Sequence, residues 1–251
     1  MSLIDTHCHI HESDYPLLID DAIAQAMNAG VNKMICVGTS GESSIAAVEA
    51  AKKYDALYAA IGVHPHDTKD GIGVIAALAK TERSFITAIG EIGLDYFYTH
   101  SPRDVQIAAL EAQLQVAVEL DLPVIFHVRE AFSDFWPILD NFHGIRGVLH
   151  SFTDVQAELD AGFTRGLYVG VNGISTFTKD KAQQQLFASI PLERMLLETD
   201  APFLTPVPKR GTVNEPAFVS YVADHHATIR GIAVDEVTSK TSANATALFA
   251  L

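Results

Sequence analysis

Histidine alternates with other residues in the run Asp5-Thr6-His7-Cys8-His9, and on an extended strand a period of two sends both imidazoles to one side while Cys8 points to the other. Such a pair is a ready chelate. Glu91, His127, His150 and Asp200 follow along the chain. Nitrogen mixed with carboxylate oxygen suits zinc, manganese, nickel or iron better than magnesium or calcium, although magnesium can serve in an assay. These six donors exceed what one tetrahedral ion uses, whereas two ions about 3.5 to 4 Å apart, bridged by a carboxylate, would use them all. The expected chemistry is hydrolysis at a binuclear divalent-metal centre, with a water brought toward a pKa of about 7 as nucleophile. Any one of these histidines taken singly reads more simply as a hydrogen-bonded core or loop residue. The set of six needs a common explanation.

The elements that must position them are legible as strand-length apolar runs at residues 3–6, 33–37, 57–63, 85–92, 123–126, 147–149, 166–169 and 195–197. Between them lie segments of helical period, such as Ile45-Val48-Ala51 and Ile107-Leu110-Leu114-Val118, which turn one apolar stripe toward a core. Ser101 with Asp104 three residues on reads as a capping box, Pro102 suits a first helical turn, and Leu122-Pro123 ends that helix and opens the next strand. Alternation of this kind means parallel strands joined by crossover helices. Eight units fit an α/β (β/α)8 TIM barrel better than a doubly wound sheet, and no Gly-x-Gly-x-x-Gly follows the first strand. A barrel builds its site at the C-terminal ends of its strands. The scheme puts His7 and His9 at the end of strand one, Glu91 in strand four, His127 at the end of strand five, His150 at the end of strand six and Asp200 just past strand eight. Residues 1–251 read as a single hydrolase barrel domain with no repeat or linker. Residues 205–216, with three prolines and one glycine, form the loop-like stretch, and 215–230 and 234–249 read as closing helices.

Composition narrows the function classes. Of 251 residues, 48% are hydrophobic and 19% charged, which excludes disorder over most of the length. A net charge of −14 excludes binding a polyanion by bulk electrostatics. If the partner is DNA, metal ions and local cations such as Lys179, Lys181, Lys209 and Arg210 must supply positive charge. Weak, salt-sensitive binding to single strands or short ends is then expected, not tight binding to long duplexes. No apolar run reaches the roughly 18 residues of a membrane span, and Asp5, His7 and His9 interrupt any apolar leader. The two cysteines, Cys8 and Cys36, cannot make a disulfide framework. A soluble cytoplasmic protein is expected, with no membrane and no obligate protein partner.

The motifs carry a resemblance. Asp5-Thr6-His7-Cys8-His9, Gly62-Val63-His64-Pro65-His66, Gly90-Glu91-Ile92-Gly93-Leu94-Asp95-Tyr96, Leu122-Pro123-Val124-Ile125-Phe126-His127, His150-Ser151-Phe152-Thr153 and Leu197-Glu198-Thr199-Asp200-Ala201-Pro202 resemble, in order and over the whole chain, the TatD family of metal-dependent deoxyribonucleases. Asn214-Glu215-Pro216 and the segment 244–249 also match its pattern. The resemblance implies an amidohydrolase-like barrel, with His7, His9, Glu91, His127, His150 and Asp200 as metal ligands and Glu91 as the bridging group. It further implies exonuclease-type cleavage of phosphodiesters. Ile10-His11-Glu12 and Asp154 depart from the family pattern, which bears on loop contacts and substrate preference. The same ligand set also serves hydrolysis of a small amide, ester or phosphoester. A metal-binding scaffold without catalysis is the third reading, against which the presence of Asp200 and Glu91 speaks.

Further roles follow from position. Asp200 is the candidate proton acceptor beside the attacking water. The resemblance suggests that His64, preferred over His66, contacts the phosphate or leaving group. Glu198 precedes Asp200 by two residues and, on a strand that stays regular, faces the same way; it orients ligands or loop amides, or is an interior residue satisfied within the barrel. Arg129, Arg210 and Asn214 are candidates for flanking phosphates, with surface ion pairing the plainer reading for the arginines. Phe132, Phe135 and Trp136 are expected to pack helix against barrel rather than stack on bases. His11, His100, His143, His225 and His226 read as ordinary residues away from the strand ends.

Overall fold

The computed structural model describes residues 2–251. Its strands are β1 (Leu3–Cys8), β2 (Val31–Val37), β3 (Leu57–Ile61), β4 (Ile86–Asp95), β5 (Val124–Arg129), β6 (Gly147–Leu149), β7 (Tyr168–Val171) and β8 (Met195–Leu197). They alternate with α1 (Ile19–Asn28), α2 (Gly41–Lys53), α3 (Gly73–Thr81), α4 (Arg103–Leu120), α5 (Phe132–Asp140), α6 (Gln156–Thr164), α7 (Ile174–Phe177) and α8 (Lys181–Ser189). Two further helices, α9 (Val219–Arg230) and α10 (Val234–Phe249), follow the last strand. The strands form one sheet in chain order, β1 through β8, and the pairs β3–β4, β4–β5, β5–β6 and β7–β8 are parallel. β8 returns to β1: Thr6 Oγ1 donates to Leu197 O at 3.0 Å, and Cys8 bridges Ala201 just past β8. This is the (β/α)8 barrel that the strand and helix alternation predicts. Strands buried on both faces need near-continuous apolar character, and β1 and β4 are buried along their whole length. No helix of the described residues is long and apolar enough to cross a membrane.

Contacts divide the chain into two compact units, residues up to 35 with 151–251, and residues 36–150. In the second unit β4 and β5 run further than their apolar stretches, because Gly93, Leu94 and Asp95 pair with His127, Val128 and Arg129. Polar residues at a strand end break the hydrophobic pattern without breaking the ladder. Glu91 therefore lies within β4, at the register shift between Ile89 and Ile92, and not at the strand's end. Gly93 is held at φ 155°, and a Cβ there would come within 1.7 Å of His127 O, so only glycine lets β4 approach the backbone of His127.

The capping box expected at Ser101 is not formed. α4 begins at Arg103 with no side-chain cap. The Ser101 hydroxyl instead donates to His66 O at 2.7 Å and accepts the Lys69 N–H at 3.1 Å, so a long-range loop contact takes it from the helix. Gln106 of α4 reaches back to β4: its Oε1 accepts the Asp95 N–H at 2.9 Å, and its Nε2 donates to Asp95 O at 3.0 Å.

In the first unit α10 is tied to the start of β8 by Asn244, whose Nδ2 donates to Leu192 O at 2.7 Å and Met195 O at 2.9 Å. α9 meets α7 through His226, fully buried, with Nε2 3.2 Å from Ser175 Oγ. Burial pushes the His226 imidazole down to about 3, below its value in the unfolded chain. Between these two values the unfolded chain binds the proton and the native one does not, so this residue costs stability as pH falls below about 6.5. Chemical denaturation at pH 7 and pH 5 should show that the native protein loses about 2 kcal/mol more than His226→Gln over this interval. Equal losses would show that His226 is not held neutral.

Candidate metal centre

The first unit gathers His7, His9 and Asp200. β1 alternates as expected: Cys8 turns away and its Sγ donates to Ile35 O at 3.4 Å. The His7 and His9 Nε2 atoms lie 3.2 Å apart. Both face the Asp200 carboxylate, whose Oδ1 is 3.7 Å from His7 Nε2 and 3.3 Å from His9 Nε2. Asp200 gets there by leaving the strand. β8 ends at Leu197, and Asp200 stands in the left-handed region at φ 59°, a conformation that Asp tolerates better than most side chains. Its N–H donates to His7 O at 2.9 Å, and the His9 N–H donates to Ala201 O at 2.8 Å.

That departure corrects the extrapolated alternation of Glu198 and Asp200. Glu198 Oε1 accepts the Ser151 N–H at 2.7 Å, with Asn172 Nδ2 3.4 Å away. The buried carboxylate thus fixes the backbone next to His150. It lies so close to β7 that a Cβ on Gly170 would sit 2.2 Å from Glu198 Oε2.

Asp5 escaped the sequence reading. It is fully buried. Its Oδ1 accepts N–H bonds from Thr199 at 2.9 Å and His7 at 3.3 Å, and its Oδ2 lies 2.6 Å from Thr199 Oγ1. Burial pushes its carboxyl up to about 8 against the opposing pull of these bonds. One side chain therefore fastens the start of the His-x-His run to the Glu-Thr-Asp run. Asn214 does related work: its Nδ2 donates to Thr199 O at 2.8 Å and also to Phe203 O, while its Oδ1 accepts the Glu215 N–H at 3.0 Å. Its amide is spent on bracing this loop, which sets aside the expectation of a phosphate contact. Arg210 donates to Thr205 O at 2.8 Å and lies 3.9 Å over the Phe177 ring, bracing the same loop from outside.

The second unit builds its cluster on Glu91. Its Oε1 is 2.8 Å from His127 Nδ1, 3.7 Å from His64 Nε2 and 3.8 Å from His150 Nε2. Atoms of His64, Glu91 and His127 all lie within 4.8 Å of one another, close enough to share an ion. Asp95, four residues after Glu91 on β4, holds the far side of the His127 ring: Oδ2 is 3.0 Å from His127 Nε2 and 2.9 Å from His66 Nε2. A carboxylate on the second nitrogen of an imidazole is the arrangement that orients metal-binding histidines. Burial works to raise the Asp95 pKa, yet bonds from His127, the Tyr98 N–H and His66 hold it well below the usual carboxylate range. Burial likewise opposes protonation of His127, but Asp95 and Glu91 outweigh it and raise its pKa.

His64 differs. Burial first, then the neighbouring His127, pushes its pKa down to about 3, so the ring is neutral. The His66 N–H donates to His64 Nδ1 at 3.1 Å. That leaves the proton on Nε2, the nitrogen facing Glu91, and makes His64 a donor. His66 belongs instead with Asp95. Phe132, Phe135 and Trp136 pack on one another, and Phe135 packs on Phe126, as expected of a helix-to-barrel contact.

A family model described as TatD related DNase matches residues 4–250. The chain belongs to the TatD family. Its relatives include the metal-dependent hydrolase YabD of Bacillus subtilis, 36% identical with 98% of each chain covered. Another is the 3'-5' ssDNA/RNA exonuclease TatD of Citrobacter rodentium, 35% identical over 99% of this chain and 98% of the relative. The crystal structure of the TatD homologue YjjV from Escherichia coli superposes with a TM-score of 0.92 at 29% identity, covering 99% of this chain and 98% of that one. The TatD resemblance read from the motifs is thus borne out.

The Asp5 bonds give a direct test. Asp5→Ala leaves the Thr199 amide and hydroxyl buried without their acceptor and should lower the unfolding free energy by about 3 kcal/mol. Asp5→Asn keeps an acceptor for the amides, and its Nδ2 donates to the Thr199 hydroxyl, which can turn its own proton to His7 O at 3.5 Å, so this variant should cost less than half as much. Urea titration of the three proteins decides this, and equal losses for both variants would rule out the hydrogen-bonding account.

Proposed function

We propose that the donors of both units serve one binuclear hydrolytic centre of a cytoplasmic nuclease, with residues 1–251 acting as one catalytic domain. His7, His9, Glu91, His127, His150 and Asp200 would hold two divalent ions. The observation that carries this reading is the pair of carboxylate oxygens, Asp200 Oδ1 and Glu91 Oε1, each facing several imidazole nitrogens within 4 Å. Nitrogen and oxygen donors in that density fit zinc, manganese, nickel or iron. The continuous sheet order and the family match across residues 4–250 support assigning both clusters to one reaction. Relatives named as metal-dependent hydrolases and as ssDNA/RNA exonucleases support a phosphodiester substrate, a single strand or short end of DNA. The two cysteines, Cys8 and Cys36, are both buried, which fits a reducing compartment.

When bound, the two ions would supply Lewis acidity toward the phosphoryl oxygens and bring a water toward a pKa of about 7. The chain's own residues do the rest. Asp200 accepts the proton of the attacking water. Neutral His64 offers its Nε2–H to a phosphate or leaving-group oxygen. Asp95 keeps the His127 ring from turning, and Glu198 keeps Ser151, and with it His150, in place.

Chelation should abolish release of nucleotides from a single-stranded oligonucleotide, and manganese or zinc should restore it. Asp200→Asn should lower kcat by about 10²- to 10⁴-fold with an unchanged melting temperature. Undiminished turnover would remove Asp200 as proton acceptor, and turnover of small amides or esters with none of DNA would overturn the nuclease reading.

A further inference from the structure

β4 and β5 stay paired to Asp95 and Arg129, and the Tyr96 N–H donates to Arg129 O at 2.9 Å. Beyond that point Asp95 folds the loop back on itself: its Oδ1 accepts the Phe97 N–H at 3.0 Å and the Tyr98 N–H at 2.9 Å. The carboxylate whose other oxygen touches His66 and His127 therefore also fixes two aromatic side chains. Both are turned outward, Phe97 48% and Tyr98 41% exposed. Such exposure is costly for rings of this size.

The rings are ordered among themselves. Phe97 and Tyr98 meet edge to face at 4.7 Å, and Tyr98 stacks on His100 with centroids 5.6 Å apart and 21° between planes. His66 lies 5.3 Å from Tyr98 and 4.7 Å from His100. The Arg129 guanidinium sits 3.8 Å over Phe97 and 5.0 Å from the centre of Tyr98, and among the described residues it makes no ion pair with a carboxylate. A cation held by ring faces keeps its N–H fork available to an anion.

We propose that Phe97, Tyr98 and His100 form a platform on which a base of a nucleic-acid single strand stacks, with Arg129 meeting an adjacent phosphate. The site rests on the nuclease reading and makes these residues determinants of substrate class. Every base has a π-face, so the platform is tolerant of sequence. A duplex, whose bases are already stacked on each other, cannot use it. His100, which reads as an ordinary solvated residue in the sequence, acquires a role through its stack on Tyr98. The packed cluster of Phe132, Phe135 and Trp136 takes no part.

Phe97→Ala and Tyr98→Ala in the manganese-loaded protein should each raise KM for a single-stranded oligonucleotide roughly tenfold, with kcat within about twofold of the parent. Tyr98→Phe should restore KM, and Arg129→Gln should flatten the dependence of log KM on log salt by about 0.7. An oligonucleotide lacking the terminal base should show the raised KM already with the unaltered protein and no further rise with Phe97→Ala. Binding of a phosphorothioate strand carrying terminal 2-aminopurine gives a readout independent of turnover: its fluorescence should be quenched by the unaltered protein and not by the Phe97→Ala, Tyr98→Ala double variant. If the unaltered protein releases no nucleotide, the nuclease reading fails while the quenching still decides the platform. Quenching that is absent from the unaltered protein, or unchanged in the double variant, overturns the proposal.

Discussion

Taking a carboxylate out of water costs several kcal/mol unless hydrogen bonds or opposite charge answer it, and this constraint organises the strand ends. Asp5, Glu91, Asp95 and Glu198 are all buried. Each is met by a different partner: the Thr199 hydroxyl and amide at Asp5, the His127 ring at Glu91, the loop amides of Phe97 and Tyr98 at Asp95, and the Ser151 amide at Glu198. The bonds that make burial tolerable are the same bonds that aim the candidate ligands. Removing any of these acids would therefore release a ligand as well as destabilise the fold.

The strands supply position, and short irregular backbone beyond them supplies direction. Glu130, Ser151 and Asp200, which follow β5, β6 and β8, all adopt positive φ. At each point the chain turns sharply where a functional side chain sits or adjoins. Strain of this kind is concentrated where a scaffold presents chemistry. Asp95 couples the two levels, since one carboxylate fixes both the His127 ring and the loop that carries the exposed aromatic residues.

Much of this is legible in the sequence. β6 and β8 fall on residues 147–149 and 195–197, as the apolar runs require. β4 and β5 outrun their apolar stretches because pairing does not depend on side-chain polarity. Asp95 lies four residues after Glu91 on the same strand, so period-two alternation could have flagged it. Asp5 lies two residues before His7 and shares its face by the same period, but what it does there is not legible, because its partner Thr199 is adjacent only after β8 returns to β1. Asn214 and Ser101 show a related limit: a polar side chain in a loop is claimed by whichever backbone group folds against it, and that group is distant in sequence.

Residue type and local period determined the strand and helix alternation, the placement of His7 and His9 on one side of β1, and the donor chemistry, since these depend on properties each short segment carries by itself. Tertiary structure decided which nitrogen of His64 bears the proton, where Asp200 turns once its strand has ended, and that Phe97 and Tyr98 stay outside while Phe135 goes in. Those outcomes depend on distances between segments remote along the chain. Burial, hydrogen bonding and charge act through such distances and are indifferent to residue order.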